Sequence, residues 1–534
     1  MCFPKPLYND KGHPDESPDG FYRTVFGPSV PHAGVTFCKC NDCVKLALRR
    51  VTCVRAPYLD TLGDSKESAL EHENRFRNNQ VEFLSRVDVK ALLRRWLEVS
   101  EYDHYVDIQQ AIRQFAGDKH PKRMLRLQAR KELEETGDIQ DRLYLKSVHY
   151  KLKTQEIGKP GKLPRMIGDL GVAASLQGFK ITEILKHAMH DNQLVVNGMT
   201  CEVVIDPRPE TLTAIFEKLI NPPGRGYFCA YSDDSCLSMR IGGRVRIFNL
   251  DIAACDTSHT PLLFETLKNL VPLELQDDMQ ILIDQCSLPI RIIDENNPKR
   301  SVLLSPSGPV LYSGSTLTTV INNLANTTIF ISIATSDISQ PADIALAAER
   351  AGYVVTGTDE AEECEVYQKI QFLKHSPVYD TNGILRPMKN LGVLLRSMGC
   401  CKYDLPGRGD LRVRAKQFMK GFLHGTYPNT KFTFIATLKS HFEDATPSEQ
   451  MERFVQQHLG FHQPGVSTDW EVSDEEYLKR YDLYQHEIDE LNECAKYATL
   501  ESVIDCTGIT RIMELDYGLN MRYDDVYSEP SEQR

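Results

Sequence analysis

Three aspartates in the middle of the chain are the side chains whose spacing is best suited to chemistry. Residues 226–256 read GYFCAYSDDSCLSMRIGGRVRIFNLDIAACD, in which short apolar runs alternate with turn signals. Asp233 and Asp234 fall in a polar turn between two predicted strands, and Asp251 ends a third predicted strand. Gly242-Gly243 is a strong two-residue hairpin signal that joins the second strand to the third.

This meander is expected to bring Asp233 and Asp234 close to Asp251. Carboxylates that converge in an apolar sheet are destabilising unless a cation neutralises them. Hard carboxylate oxygens suit divalent ions such as Mg²⁺ and Mn²⁺. The sequence therefore predicts that these three aspartates hold a pair of divalent metal ions.

A second chemical signal is a basic segment at residues 147–167, which forms two strand-like pieces around a Gly-Lys-Pro-Gly turn. It lies in a wider basic patch, because residues 119–165 contain 13 Lys and Arg against 6 Asp and Glu. The segment is either a solvated basic hairpin or a cationic finger that holds a triphosphate or a nucleic-acid backbone. Its cationic side chains are Lys151, Lys153, Lys159, Lys162 and Arg165.

A third signal is the loop Ser313-Gly314-Ser315-Thr316, which leads into a predicted helix. Thr318 and Asn322 are four residues apart and therefore share one face of that helix. Further along, the pattern predicts a strand at 329–333, a helix that begins after Ser339 and stops at Gly352, a strand at 353–356 and a hairpin at 372–387.

Composition bounds the possible functions. The net charge of -12 excludes a protein that coats nucleic acid over its whole surface, so any such contact must be local. The sequence shows neither a secretory signal nor an apolar run of the ~20 residues that a membrane span needs. The 15 cysteines indicate reduced thiols in a cytosolic setting. Cys38, Cys40, Cys43 and Cys53 are either ordinary thiols or a zinc knuckle of unusual spacing.

Together these segments resemble the motifs of viral RNA-dependent RNA polymerases, over roughly residues 150–390. Asp251-x4-Asp256 resembles motif A, and Tyr231-Ser232-Asp233-Asp234 resembles motif C. The remaining correspondences are Ser313-Gly314-x3-Thr318-x3-Asn322 with motif B, Lys153 and Gly161-Lys162-x2-Arg165 with motif F, residues 352–356 with the end of motif D, and Phe372-Leu373-Lys374 with motif E.

The motif order is C-A-B, which is similar to the permuted palms of permutotetravirus and birnavirus polymerases. The Gly242-Gly243 turn would be the join that lets motif C precede motif A. An unpermuted alternative places motif C at Gly357-Thr358-Asp359-Glu360. The charged, helix-like residues that follow argue against it, because motif C requires a return strand.

The resemblance implies an α+β fold, namely a right-hand polymerase with a ferredoxin-like antiparallel palm sheet and a mostly helical thumb. The implied segments are an N-terminal extension (1–60), fingers (61–205), palm with motifs C and A (206–258), a fingers insertion (259–305), palm with motifs B, D and E (306–390), a helical thumb (391–520) and an acidic tail (521–534).

The resemblance also implies an RNA-directed RNA polymerase, a nucleotidyltransferase that adds rNTPs to an RNA 3′ end with two Mg²⁺ or Mn²⁺ ions. Asp233, Asp234 and Asp251 would bind the metal ions. Asp256 and Asn322 would recognise the ribose 2′-hydroxyl. Ser313 and Thr318 would orient that pair, Gly314 would belong to the same nucleotide site, and Lys153, Lys159, Lys162 and Arg165 would hold the triphosphate. No general acid is assigned, because Glu360 stands near the motif D position and the nearest lysine is Lys369.

The implied partners are an RNA template, nascent RNA and rNTPs, in a replication complex of the host cytoplasm or packaged in a virion. Initiation without a primer, on a protein primer or by self-nucleotidylation all remain open. Two alternatives also remain. A reverse transcriptase shares the Tyr-x-Asp-Asp pattern, although Asn322 argues against it, and a non-catalytic RNA-binding or capsid-associated protein would use the carboxylates only to cap turns.

Overall fold

The protein is described by a computed structural model that covers twelve stretches of the chain. The described residues are 24–25, 66–98, 147–152, 166–205, 208–293, 301–393, 410–423, 429–430, 432–452, 470–498, 503–504 and 506–517. Several predicted features lie outside them, namely the four cysteines of the zinc alternative, the acidic tail, and the side chains of Lys153, Lys159, Lys162 and Arg165.

The strands are short at both ends of the described chain and long in its middle. In chain order they are β1 (Thr24–Val25), β2 (Val148–Leu152), β3 (Met166–Asp169), β4 (Leu194–Val196), β5 (Met199–Val203), β6 (Gly226–Tyr231), β7 (Asp234–Ile241), β8 (Arg244–Ile252), β9 (Ile290–Ile293), β10 (Ser301–Leu304), β11 (Val355–Thr356), β12 (His375–Tyr379), β13 (Leu385–Lys389), β14 (Asn429–Thr430), β15 (Glu471–Val472) and β16 (Val503–Ile504).

The helices lie on both sides of the long strands and dominate the C-terminal part. The principal ones are α1 (Lys66–Ser85), α2 (Val87–Trp96), α3 (Gly171–Asp191), α4 (Pro209–Ile220), α5 (Pro261–Leu270), α6 (Gln276–Gln285), α7 (Thr318–Ala334), α8 (Ala342–Arg350), α9 (Leu411–Leu423), α10 (Thr433–Ser440), α11 (Asp474–Tyr481), α12 (Gln485–Lys496) and α13 (Thr507–Tyr517). Within the described stretches, no helix combines the length and apolarity that crossing a membrane requires.

The central element is a six-stranded sheet of order β11-β8-β7-β6-β5-β4. All neighbours in it are antiparallel except β5 and β6, which are parallel and joined through α4. This mixture of helices with a largely antiparallel sheet fits the predicted α+β class. The predicted pairing of the second and third strands is confirmed, because β7 and β8 pair antiparallel without interruption across the Gly242-Gly243 turn. Both glycines have positive φ, 60° and 81°, as a tight two-residue hairpin requires.

The sheet begins before residue 206, where the predicted palm segment starts. Strands β4 and β5 belong to the sheet, so its first residue is Leu194, within the predicted fingers segment. The two strands are joined by Asn197-Gly198, whose φ angles are 47° and 76°. Asn-Gly is the strongest short hairpin signal in a sequence, and here it marks the first hairpin of the sheet.

The sheet is covered on both faces, which explains the continuous apolar character of its middle strands. Phe228 and Phe248 point into the core that contains α7, and Phe228 meets Phe330 of that helix with ring centroids 5.8 Å apart. Tyr227 and Cys229 point to the opposite face, where they pack with α4 and the β12–β13 hairpin. The central strands are thereby held from two sides.

The expected strand at 329–333 is wrong, because these residues are the last part of the continuous helix α7. Short apolar runs do not distinguish a buried strand from a buried helix. Residues 320–334 are buried on every side of the helix, so there is no polar face to mark its period. Thr327 and Thr328 donate their hydroxyl hydrogens to the carbonyls four residues earlier, at 3.0 and 2.8 Å, which satisfies them inside the helix.

A separate C-terminal core contains helices from α9 to α13 and is joined to the long sheet by buried charged side chains. Arg480 donates to the carbonyl of Lys369 at 3.0 Å and to Asp516 Oδ1 at 2.8 Å. Both members of this ion pair are buried, with side-chain exposures of 1% and 0%. Glu476 accepts hydrogen bonds from the Tyr367 hydroxyl and the Tyr379 amide in the same region.

We expect Arg480→Met to lower the free energy of unfolding by about 3 kcal/mol or more, because it leaves Asp516 charged and buried without its partner. Arg480→Met/Asp516→Asn should recover part of that loss, since a neutral amide keeps an acceptor and removes the charge. The matched control is Lys479→Met, which breaks only the exposed pair with Glu475. Denaturant unfolding measures all three, and equal losses for Arg480→Met and Lys479→Met would contradict the assignment.

Candidate active site

The turn between β6 and β7 is held by three asparagines of helix α7. Ser232 occupies this turn with a φ of 55°, in the left-handed region that non-glycine residues rarely adopt. Its amide donates to Asn323 Oδ1 and its carbonyl accepts from Asn326 Nδ2, both at 2.7 Å. Its hydroxyl accepts from Asn322 Nδ2 at 3.3 Å. Helix α7 therefore fixes the conformation of the turn that carries Asp233.

Asn323 and Asn326 were not among the predicted site residues. Both are buried, and a buried amide is destabilising unless its hydrogen bonds are made. Their occurrence in an apolar helix was a signal that the helix must hold a polar partner. That partner is Ser232, about ninety residues earlier in the chain. Local sequence patterns cannot identify a partner at such a distance.

The three predicted metal-binding aspartates lie at one end of the long sheet. Asp234, the first residue of β7, is the register partner of Asp251 in β8. Asp233 and Asp251 are exposed, and Asp234 is partly buried. The pKa of Asp234 is raised to about 6, chiefly by desolvation and less by the charges of Asp233 and Asp251, while Lys374 and the amide of Leu373 oppose the rise. The carboxylates thus interact unfavourably when all of them are ionised.

A tight turn of the predicted motif E segment contacts Asp234. Phe372 and His375 exchange backbone hydrogen bonds at 3.0 Å, and the two residues between them, Leu373 and Lys374, both have positive φ, 52° and 62°. This conformation favours glycine or asparagine, so the turn is strained. The amide of Leu373 donates to Asp234 Oδ2 at 2.8 Å. The role of Lys374 as a cation near the carboxylates was not predicted.

Asp256 and Asn322, which come from two different predicted motifs, are in contact. Asn322 Nδ2 donates to Asp256 Oδ1 at 3.3 Å. Asp256 follows a left-handed residue, Ala254, with a φ of 48°, which turns the chain into a short 3-10 helix at Cys255–Ser258. Asp256 is partly buried, whereas Asn322 is buried. The pair lies next to the Ser232 turn, because Asn322 contacts both.

The Thr318 hydroxyl lies within hydrogen-bond distance of the carbonyls of Tyr312 and Ser315, at 3.2 and 2.9 Å, and so contacts the loop that precedes α7. Its role in orienting Asp256 and Asn322 stays a prediction. Asn322 Oδ1 meets His259 Nε2 at 2.8 Å, and Cys255 Sγ donates to it at 3.4 Å. Sequence patterns had singled out neither of these two residues.

Ser313 and Gly314 lie against β3, which follows the basic segment. The carbonyl of Ser313 accepts from the amide of Gly168 at 2.8 Å. Gly314 has a φ of 100°, and a Cβ there would approach the Gly168 carbonyl oxygen to 2.4 Å, so no larger residue fits. This close approach ties the predicted motif B loop to the strand that continues from Arg165.

The donor chemistry of the three aspartates fits a hard divalent cation, although no closed ligand set is formed. Among the described residues, no group of three or more His, Cys, Asp and Glu side chains stands ready as a metal cluster. Carboxylate oxygens are nevertheless the ligands that Mg²⁺ and Mn²⁺ prefer. Burial, and to a smaller extent the neighbouring carboxylates, raise the pKa of Asp234, and a bound cation would favour its ionised form.

Two remaining expectations concern the segment after β11. Asp359 caps the 3-10 helix Glu360–Glu362 in a capping box with Glu362, so it does not lie at the tip of a strand hairpin as the unpermuted alternative requires. Lys369, the nearest lysine to the position of a motif D general acid, forms an ion pair with Asp482. It remains unassigned as an acid.

Comparison with known proteins returns no matching family model and no matching curated protein. Among solved structures, the chain is similar to the RNA polymerase VP1 from Infectious Pancreatic Necrosis Virus, with 11% identity and a TM-score of 0.41 over 77% of this chain and 62% of that one. It is likewise similar to a birnavirus VP1-VP3 complex, with 11% identity and a TM-score of 0.40 over 77% and 62%.

The chain therefore spans less than two thirds of the length of these structures. The resemblance to birnavirus polymerases that the motifs predicted is found again among solved structures.

We expect the stability of Asp234→Asn relative to wild type, in the absence of metal, to increase as pH rises. Because the folded pKa of Asp234 is raised above its unfolded value of 3.8, the stability it contributes is fully present below that value and is lost as pH rises through about 6. Relative to wild type, the variant should gain about 2 kcal/mol in free energy of unfolding between pH 4 and pH 7.

The measurement is denaturant unfolding in EDTA across this pH range. Asp277→Asn, at an exposed position of α6, is the matched control and should show no such trend. A stability difference for Asp234→Asn that is constant with pH would contradict the raised pKa that burial and the neighbouring carboxylates give Asp234.

Proposed function

We propose that this protein is an RNA-directed RNA polymerase that copies a viral RNA genome by metal-dependent nucleotidyl transfer. The observation that carries the proposal is the placement of Asp234 opposite Asp251 on paired strands, with the Asp256–Asn322 pair attached to the same turn through Ser232. Acidic groups suited to the transferring phosphate thus lie close to polar groups suited to the sugar.

Asp233, Asp234 and Asp251 would hold two Mg²⁺ or Mn²⁺ ions. Bound there, the ions would lower the pKa of the RNA 3′-hydroxyl and neutralise the pyrophosphate leaving group. The protein's own contribution is positional. The asparagines of α7 fix the turn that carries Asp233, the β7–β8 ladder fixes Asp234 against Asp251, and the Leu373 amide orients the carboxylate of Asp234.

Asp256 and Asn322 support ribonucleotides as the substrate class. An ionised carboxylate only accepts hydrogen bonds, so Asp256 selects a ligand group that donates. A ribose 2′-hydroxyl is such a donor, and a deoxyribose offers none at that position. A reverse transcriptase would gain nothing from this pair. The contrast between rNTP and dNTP incorporation therefore separates the two polymerase classes.

Other parts of the proposal rest on the sequence. Lys153, Lys159, Lys162 and Arg165 would hold the triphosphate by charge-assisted hydrogen bonds, beside the loop that contains Ser313 and Gly314. The partners would be template RNA, nascent RNA and rNTPs, in a cytoplasmic replication complex or a virion. Whether a primer, a protein or the chain itself begins synthesis is left open.

The test is incorporation of labelled rNTPs on a homopolymeric RNA template with Mg²⁺, Mn²⁺ or EDTA. Wild type should make polymer only with a divalent ion, and rNTPs should be preferred to dNTPs. Asp233→Ala and Asp251→Ala should each lower the rate by at least about a thousandfold while unfolding as wild type does, because both remove exposed charges and no packing.

Asp277→Ala supplies the control for loss of an exposed carboxylate outside the site and should keep wild-type activity. An active Asp233→Ala protein would overturn the metal-binding assignment. RNA binding indifferent to Mg²⁺, with no polymer formed under any condition, would favour the non-catalytic alternative.

A further inference from the structure

His259 lies at the centre of a buried series of polar contacts that ends at Asn322 and Asp256, called here the sugar-recognition pair. It is 4% exposed and occupies the junction between the 3-10 helix Cys255–Ser258 and α5. Its Nε2 is 2.8 Å from Asn322 Oδ1, and its Nδ1 is 3.2 Å from the hydroxyl of Tyr353. Tyr353 is also buried and meets the imidazole edge-on, with ring centroids 5.9 Å apart.

The donor and acceptor of each hydrogen bond in this series can be assigned by starting from Asp256, where the series ends. Asp256, as a carboxylate, offers only acceptor lone pairs, so the amide nitrogen of Asn322 must face it. Asn322 Oδ1 then faces His259, which requires the hydrogen of the neutral ring to be on Nε2. Nδ1 of that tautomer is an acceptor and receives the hydroxyl hydrogen of Tyr353.

In the flipped orientation the oxygen of the Asn322 amide would face the carboxylate of Asp256, and the two acceptors would repel. The orientation in which Asn322 holds Asp256 and Ser232 at once needs donors on its oxygen, and His259 Nε2 at 2.8 Å is the nearer one, with Cys255 Sγ at 3.4 Å. His259 therefore stabilises this orientation. Both hydrogens of the amide nitrogen are used by the contacts with Asp256 and Ser232.

Helix α1, far away in sequence, anchors the backbone on both sides of His259. Gln80 of this helix is buried, donates to the carbonyl of Ser258 at 3.1 Å and accepts from the amide of Thr260 at 2.7 Å. Gly352 permits this approach, because a Cβ there would lie 2.3 Å from Gln80 Cβ. The imidazole is thus held through its backbone neighbours and through Tyr353.

We propose that His259, held by Tyr353, is a positioning residue that determines the preference of this site for ribonucleotides. It acts by fixing the Asn322 amide so that Asp256 remains oriented to accept a hydrogen bond from the sugar. This inference rests on the proposed function. It adds to the sugar-recognition pair two residues that never touch the substrate.

The experiment compares His259→Leu, His259→Gln and Tyr353→Phe by kcat and KM for an rNTP and its 2′-deoxy analogue, on a homopolymeric RNA template with Mn²⁺. His259→Leu removes the donor, so the ratio of kcat/KM for rNTP over dNTP should fall at least about tenfold, through a higher KM for the rNTP alone. His259→Gln keeps an N–H donor and should retain the ratio within about threefold. The kcat/KM ratio for Tyr353→Phe should lie between those for His259→Leu and His259→Gln.

His190→Leu and His190→Gln are the matched controls, since Nδ1 of this histidine on α3 lies 2.9 Å from the carbonyl of Val203, in another part of the fold. They should leave the ratio unchanged. A purely structural role for His259 predicts a loss of kcat with both substrates and an unchanged ratio, which would overturn the inference. If His259→Leu does not fold, equal ratios for His259→Gln and Tyr353→Phe would overturn it instead.

Polymer synthesis by the wild-type protein distinguishes a failure of the proposed function from a failure of the role assigned to His259. A wild type that makes no polymer overturns the proposed function and this inference with it. A wild type that polymerises and prefers rNTPs, beside a His259→Leu protein with the same preference, overturns this inference alone.

Discussion

The structure of the site depends on the contact between a buried helix and a single strained residue. Ser232 adopts a left-handed conformation, and its amide, carbonyl and hydroxyl are each bonded to a different asparagine of α7. A buried amide without partners is destabilising, and so is a left-handed serine without support. The asparagine amides and the left-handed Ser232 therefore stabilise each other. Because the turn carries Asp233 and leads directly into Asp234, this mutual dependence sets where the carboxylates lie.

The acidic end of the sheet is connected to the C-terminal core through the segment at 367–375. Asn249 of β8 binds the carbonyl of Lys369 and the amide of Gln371, at 2.9 Å each. Arg480 binds the same Lys369 carbonyl from the other side. The strained Leu373-Lys374 turn that touches Asp234 follows at once. The C-terminal helices are therefore connected to the turn at Asp234 through a few hydrogen bonds between side chains and the backbone.

Much of the long sheet follows from local sequence. Alternation in the strands, the Gly242-Gly243 turn and the ends of α8 are all visible in short windows, and β7 pairs with β8 as those signals predict. The failures have two physical causes. Residues 329–333 have no amphipathic period, because α7 is buried all round. Asn323, Asn326, Leu373 and His259 matter through partners some sixty or more residues away, which periodicity and turn chemistry cannot specify.

The central claim is that the asparagine-held turn and the β7–β8 ladder present Asp233, Asp234 and Asp251 as ligands for a pair of divalent ions. Anomalous diffraction from crystals containing Mn²⁺ and an incoming ribonucleotide tests this most directly. The predicted result is manganese density between the β6–β7 turn and Asp251, within coordination distance of these carboxylates. Manganese bound elsewhere, with the three aspartates making contacts only within the protein, would contradict the account.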